Sequence, residues 1–141
     1  MPLAIVAAYI LLILPRSVAH IAAANDFARY YTSGRQNVSI IQPYQTNPVF
    51  RERFEFEYMM KVANDFELGS EVLVDNINAY IRWAYSVIQY SPQPTIYQNF
   101  IFCLRLANKD DAALSYAREA ARLYPTRDVF KKLVEELEAR T

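Results

Sequence analysis

From Leu3 to Leu14 the chain carries no polar side-chain group except the Tyr9 hydroxyl. As a helix this run rises ~18 Å, short of the ~30 Å hydrocarbon core of a bilayer. Extending it to Ala24 supplies the length but sets Pro15 and Arg16 near the middle. An arginine at mid-bilayer costs ~3 kcal/mol on insertion scales. The run therefore reads as the outer end of a membrane helix that begins upstream, broken at the interface by Pro15, with Arg16 snorkelling toward the headgroups. Two other readings stay open. One is a signal-peptide core with Ala22-Ala23-Ala24 as the cleavage region, although no Lys or Arg precedes the apolar run. The other is a buried helix of a soluble helical domain.

After Ser17 the pattern becomes amphipathic. Val18, Ile21, Ala22, Phe27, Ala28 and Tyr31 recur at helical spacing, while Asn25, Asp26 and Arg29 fall on the other side. This predicts a helix over 16–34 that ends at Gly34 and lies along the membrane interface, with Tyr30 and Tyr31 at headgroup depth. Packing of its apolar side on the following helices is the alternative. Polar residues and Pro43 make Arg35–Asn47 a loop, and Asn47-Pro48 reads as an N-cap followed by proline at the first helical position. Phe50, Phe54, Tyr58, Val62 and Phe66 then mark one helix face. Arg51, Glu52, Arg53, Glu55, Glu57 and Lys61 are expected to point outward. Phe54–Tyr58 also alternates as a strand would, but the length of the pattern and the lack of a partner strand favour helix.

Gly69-Ser70 separates this helix from one over Glu71–Tyr90, whose apolar face is Leu73, Ile77, Ile81, Ala84 and Ile88. Ser91-Pro92-Gln93-Pro94 ends it and opens another over Thr95–Ala107, with Tyr97, Phe100, Ile101 and Leu104 inward. Asn108 stands where a left-handed turn residue is needed. Asp110 and Asp111 suit the positive end of a helix over Ala112–Tyr124. Thr126 is expected to cap a last helix with Val129, Phe130, Leu133, Val134 and Leu137 inward. Small residues at Ala113, Ala117 and Ala120 allow close helix packing, and Pro125 stops the helix. Ala84 and Pro92 lie 33 residues before Ala117 and Pro125, with Trp83 and Tyr116 in matching positions. The tetratricopeptide period is about 34. Ile101 and Asn108 depart from that pattern, where a small residue and glycine are usual. The expected fold is all-α: the end of a membrane helix over 1–15, an interfacial helix over 16–34, and a tetratricopeptide-like helical domain over 35–141.

Composition narrows the function. Fifteen basic and 15 acidic residues cancel, which argues against a nucleic-acid partner. Two glycines leave little room for phosphate-cradling loops. A single histidine, His20, and a single cysteine, Cys103, leave no metal-ligand set, and no cofactor or nucleotide motif is present. Interleaved with Arg51 and Arg53, the acids Glu52, Glu55 and Glu57 read as a solvated face. Cys103, between Phe102 and Leu104, reads as a small buried hydrophobe. No catalytic residue is expected. Trp83, Tyr97, Phe100 and Tyr116 are the candidate groove positions, with hairpin packing as their competing role.

The order of these features carries a resemblance. An apolar helix end and an amphipathic segment precede Ala79-Tyr80-Ile81-Arg82-Trp83-Ala84, Tyr90-Ser91-Pro92, Tyr97, Leu104-Arg105-Leu106-Ala107-Asn108, Asp111-Ala112-Ala113 and Ala120-Ala121-Arg122-Leu123-Tyr124-Pro125. This resembles the C-terminal region of the bacterial membrane-bound O-antigen ligase and polymerase group, especially PglL-type protein O-oligosaccharyltransferases. There a final membrane helix is followed by a tetratricopeptide-like domain with an arginine, apolar, aromatic, proline signature, matched by Arg122–Pro125. The usual asparagine-glycine turn is Asn108-Lys109 here. The resemblance implies part of an enzyme that transfers a lipid-linked glycan outside the bacterial cytoplasmic membrane, with the helical domain periplasmic. Its catalytic residues lie in an upstream loop that no position here matches. The implied partners are the bilayer, a protein acceptor and the upstream part of the enzyme. A small membrane-anchored adaptor that holds a peptide is the alternative.

Overall fold

The computed structural model describes residues 2–34 and 37–140, with side chains from residue 15 onward. All regular structure among the described residues is helical: α1 (Pro2–Thr32), α2 (Arg51–Glu67), α3 (Leu73–Ile88), α4 (Pro94–Leu106), α5 (Asp110–Leu123) and α6 (Asp128–Glu138). The Phe54–Tyr58 segment is helix, as its length requires. The chain divides into two compact units, Met1–Glu57 and Tyr58–Thr141, with the boundary inside α2.

In the first unit Pro15 does not end the helix as expected, because α1 runs through it for 31 residues, ~46 Å. A proline removes one hydrogen bond and crowds the preceding turn. That cost is outweighed here by packing further along, where Ala23, Phe27 and Tyr30 are buried. The buried stripe differs from the predicted apolar side: Val18, Ile21, Ala22 and Ala28 are exposed. Tyr30 is fully buried, so its ring packs within the unit. Gly34 (φ +67°) ends α1, donating to the Tyr31 carbonyl at 3.0 Å. The expected loop holds two short 3-10 turns, Val38–Ile40 and Gln42–Tyr44, with Ile41 buried between them. Asn47 accepts from the Val49 N–H at 2.9 Å, as a cap does, though the regular helix α2 starts at Arg51.

In the second unit each of α3 to α6 packs on the next. The shared core holds Ile77, Tyr80, Ala84, Val87 and Ile88 of α3, Ile96, Tyr97, Phe100, Ile101, Cys103 and Leu104 of α4, Ala113, Ala117 and Ala120 of α5, and Phe130 and Leu137 of α6. The three alanines of α5 have no exposed surface. Such small side chains let helix backbones approach closely, and Ile101 is accommodated fully buried. Two turns share one device. Asn108 (φ 55°) ends α4: the Lys109 N–H reaches the Leu104 carbonyl at 2.9 Å and the Asn108 N–H reaches Arg105 at 3.0 Å. Gly69 (φ +61°) does the same after α2, with Ser70 on Asp65 at 2.9 Å and Gly69 on Phe66 at 3.2 Å. Both are Schellman caps. Thr126 does not cap α6; Arg127 holds that position without a side-chain bond.

Among the described residues no helix is long and apolar enough to cross a membrane. The side chains of the apolar run Leu3–Leu14 lie outside the described residues, and so does their expected contact with lipid.

Candidate functional site

Two side-chain clusters stand out, one in each unit. In the second unit the aromatic candidates meet across the α4–α5 hairpin. The Phe100 and Tyr116 rings are edge-on at 4.8 Å, and the Tyr97 hydroxyl donates to Glu119 at 2.9 Å. Tyr97 and Phe100 are buried, and Tyr116 is half-buried. Desolvation by burial, then the hydrogen bond to the Glu119 carboxylate and its charge, hold the Tyr97 phenol above its ordinary value. Tyr116 is raised mainly by burial, with Tyr85 and Glu119 adding to it. Trp83 lies apart from this group on α3, half-buried, with its ring 5.3 Å from Tyr80. The structure thus brings together Tyr97, Phe100 and Tyr116, and pairs Trp83 with Tyr80. In each case packing within the helical array is the visible contact.

Cys103 sits in the same core with its sulfur 4.0 Å from that of Met59. Burial pushes the thiol up to about 12, so it stays protonated and unreactive near neutrality. The acid Asp65 is buried too, bound by Lys61 Nζ at 3.1 Å and by Asn76 Nδ2 at 2.6 Å, which ties the end of α2 to α3. Salt bridges Arg105–Glu136 at 3.4 Å and Arg118–Glu138 at 2.7 Å join α4 and α5 to α6. They are partly exposed and add little stability.

The cluster in the first unit was not anticipated. Arg53 lies 4.9 Å from the Phe27 ring centre and 5.8 Å from that of Tyr31, and donates to the Tyr31 hydroxyl at 3.0 Å. Tyr31 in turn donates to Glu57 Oε1. The cation, two rings and a carboxylate bind the end of α1 to the start of α2. Beside it Tyr44 stacks on Phe27 at 5.5 Å, meets Phe50 edge-on at 5.4 Å and donates to Asp26 at 2.8 Å. Desolvation first, then that hydrogen bond, raise the Tyr44 phenol. The His20 ring meets Phe50 at 5.1 Å, and its Nδ1 is 2.7 Å from the Arg16 carbonyl.

Three charges expected to be solvated are buried: Arg51 at 7% exposure, Glu55 at 3% and Glu57 at 2%. The spacing held the signal. Arg51, Glu55, Tyr58, Val62 and Asp65 follow one another by four, three, four and three residues, the inward stripe of a helix. Phe66 errs the other way and is 56% exposed. Each i+4 step drifts about 40° around a helix of 3.6 residues per turn, so four steps from Phe50 carry Phe66 to the far side.

Among the described residues no group of three acids, histidines or cysteines is placed to hold a metal ion. The arrangement can fix helices and present surfaces. Tyr85, Tyr90 and Phe102 in the second unit are exposed, as are Phe66, Leu68, Val72 and Val74 around the Gly69 turn. A family model described as "Virulence factor membrane-bound polymerase, C-terminal" matches residues 1–137. No curated protein and no solved structure matches the chain.

Proposed function

We propose, from the premise that this chain belongs to the family of C-terminal regions of virulence-factor membrane-bound polymerases, that it is the non-catalytic C-terminal module of a membrane glycan (O-oligosaccharide) transferase or polymerase. The family is membrane-bound, which accords with a membrane location. In this reading residues 1–15 are the end of a transmembrane helix at the bacterial inner membrane. The tetratricopeptide-like array of α3 to α6 stands on the periplasmic side and positions a protein acceptor or the upstream part of the enzyme.

The observation that carries this reading is a helical-hairpin array covered by a polymerase family model, with its buried aromatic and acidic groups engaged in holding helices together. Tyr97 and Phe100 set the α4–α5 hairpin from inside. Trp83 and Tyr116, half-buried on α3 and α5, keep surface with which to meet a partner. The exposed Tyr85, Tyr90 and Phe102 add further surface for that partner, and a peptide held by a membrane-anchored adaptor is the second reading.

The test is made in the parent enzyme. Tyr85→Ala with Phe102→Ala, both exposed, is expected to lower glycan transfer to the acceptor at normal protein level and unchanged binding of the lipid-linked donor. Wild-type transfer by this variant would reject the positioning role. Capture of a peptide by an array whose removal leaves transfer intact would favour the adaptor.

A further inference from the structure

We infer that lipid contact on α1 continues past Pro15 to Ala22, so that residues 16–22 pass through the interfacial zone of the bilayer as one helix with Leu3–Leu14, and that the chain leaves lipid at Asn25–Asp26. This rests on the reading above, that the apolar run Leu3–Leu14 faces lipid. It replaces a helix that breaks at Pro15 and lies flat with one that keeps going.

Three observations converge. First, α1 is unbroken from Pro2 to Thr32, so whatever environment receives Leu3–Leu14 is continued along the same rod. Second, Pro15 through Ala22 are all exposed, with the His20 ring against Phe50 as a side contact, and among the described side chains of α1 the first buried one is Ala23. Over that level Val18 (58%) and Ile21 (62%) present apolar surface on the side away from Ala23, Phe27 and Tyr30. Val49 (64%) exposes more, next to the Phe50 that meets His20. Exposed apolar residues on the outward side of α1 and at Val49, continuous along the helix with the apolar run Leu3–Leu14, suit a fluid collar of lipid. Third, polarity changes where the surface must reach water. Along the outward side Val18, Ile21 and Ala22 give way to Asn25, Arg29 and Thr32. No acidic residue precedes Asp26 in this chain, and Arg16 is the one fixed charge before it, of the sign anionic headgroups attract. Arg16 lies ~9 Å from Ala22 along the axis, a depth from which arginine snorkels to the headgroups. Its position therefore does not forbid lipid around Val18 and Ile21.

The test uses the whole chain in vesicles of phosphatidylethanolamine and anionic phosphatidylglycerol. Single variants Ile10→Cys, Val18→Cys, Ile21→Cys, Asn25→Cys and Thr32→Cys carry a nitroxide, with buried, unreactive Cys103 kept as the native background. Collision rates with oxygen, which partitions into lipid, and with a water-soluble nickel chelate are compared. The expected oxygen-to-nickel ratio is several-fold higher at Ile10, Val18 and Ile21 than at Asn25 and Thr32. A high ratio at Ile10 with low ratios at Val18 and Ile21 would overturn this inference and leave the membrane reading standing. Low ratios at all five sites would overturn both. Shielding of Val18 and Ile21 from both reagents would mean that protein, not lipid, covers them, and would also reject the inference.

Discussion

Single residues divide here by whether burial leaves their polar atoms engaged. Tyr97 is inside, donates to Glu119, and holds its proton more tightly when folded than when unfolded. A raised folded value gives stability that is present below the ordinary phenol value of 10.0 and is lost as pH rises through the folded one. The melting temperature, followed by circular dichroism, is therefore expected to fall as pH climbs past 10.0, and to fall less steeply for Tyr97→Phe. At neutral pH that variant loses about 1 kcal/mol, the net worth of one hydrogen bond. Two glutamates on α2 make a second contrast. Glu57→Ala removes a buried acceptor of the Tyr31 proton and is expected to cost about 2 kcal/mol in urea unfolding. Glu52→Ala, on the exposed side, changes stability by less than about 0.5 kcal/mol. Equal effects would show that the two acids share one environment, as the amino-acid pattern alone had implied. Residue type predicted the aliphatic core of α3 to α6, because apolar burial needs no specific partner. It failed for Arg51, Glu55 and Glu57, because a charge goes inside only where other parts of the fold supply its bonds.

At the level of helices and turns, local chemistry governs the ends. Gly34, Gly69 and Asn108 take positive φ where helices stop. Asn108→Gly is expected to raise the melting temperature slightly, since it relieves left-handed strain. Asn108→Ile should lower stability by ~1–2 kcal/mol, the cost of that geometry for a branched residue. If both variants melt alike, the turn does not set the α4–α5 hairpin. Helix ends were legible for the same reason: Asn108, Gly69 and the Pro92–Pro94 segment act on their immediate neighbours. Three ends differ: Thr126 does not cap α6, regular α2 starts at Arg51 rather than Pro48, and Pro15 does not end α1. The local effect of Pro15 is to break a helix, yet α1 continues because Ala23, Phe27 and Tyr30 anchor the turns beyond it. The buried side of α1 also differs from the side its spacing predicts. Alanines populate both sides of that helix, so spacing alone does not choose which side is covered.

The molecule as a whole divides into two compact units, Met1–Glu57 and Tyr58–Thr141. Deleting residues 1–14 is expected to release the chain from vesicles in a flotation assay while the helical signal of α2 to α6 persists. Retention on vesicles would move the membrane attachment to another surface, such as the exposed Phe66, Leu68, Val72 and Val74. The amino-acid order by itself determined the all-helical class, the hairpin of α4 and α5 with its alanine seam, the turn at Asn108 and the likeness to a membrane polymerase region. These follow from periodicity and short-range sterics, which act between neighbours along the chain. Only the tertiary structure decided that Arg51, Glu55 and Glu57 lie inside, that Arg53 and Tyr31 bind α1 to α2, and that α1 passes Pro15 with Val18 and Ile21 facing out. Each of those outcomes depends on groups far apart in sequence whose contact energies outweigh the local preference.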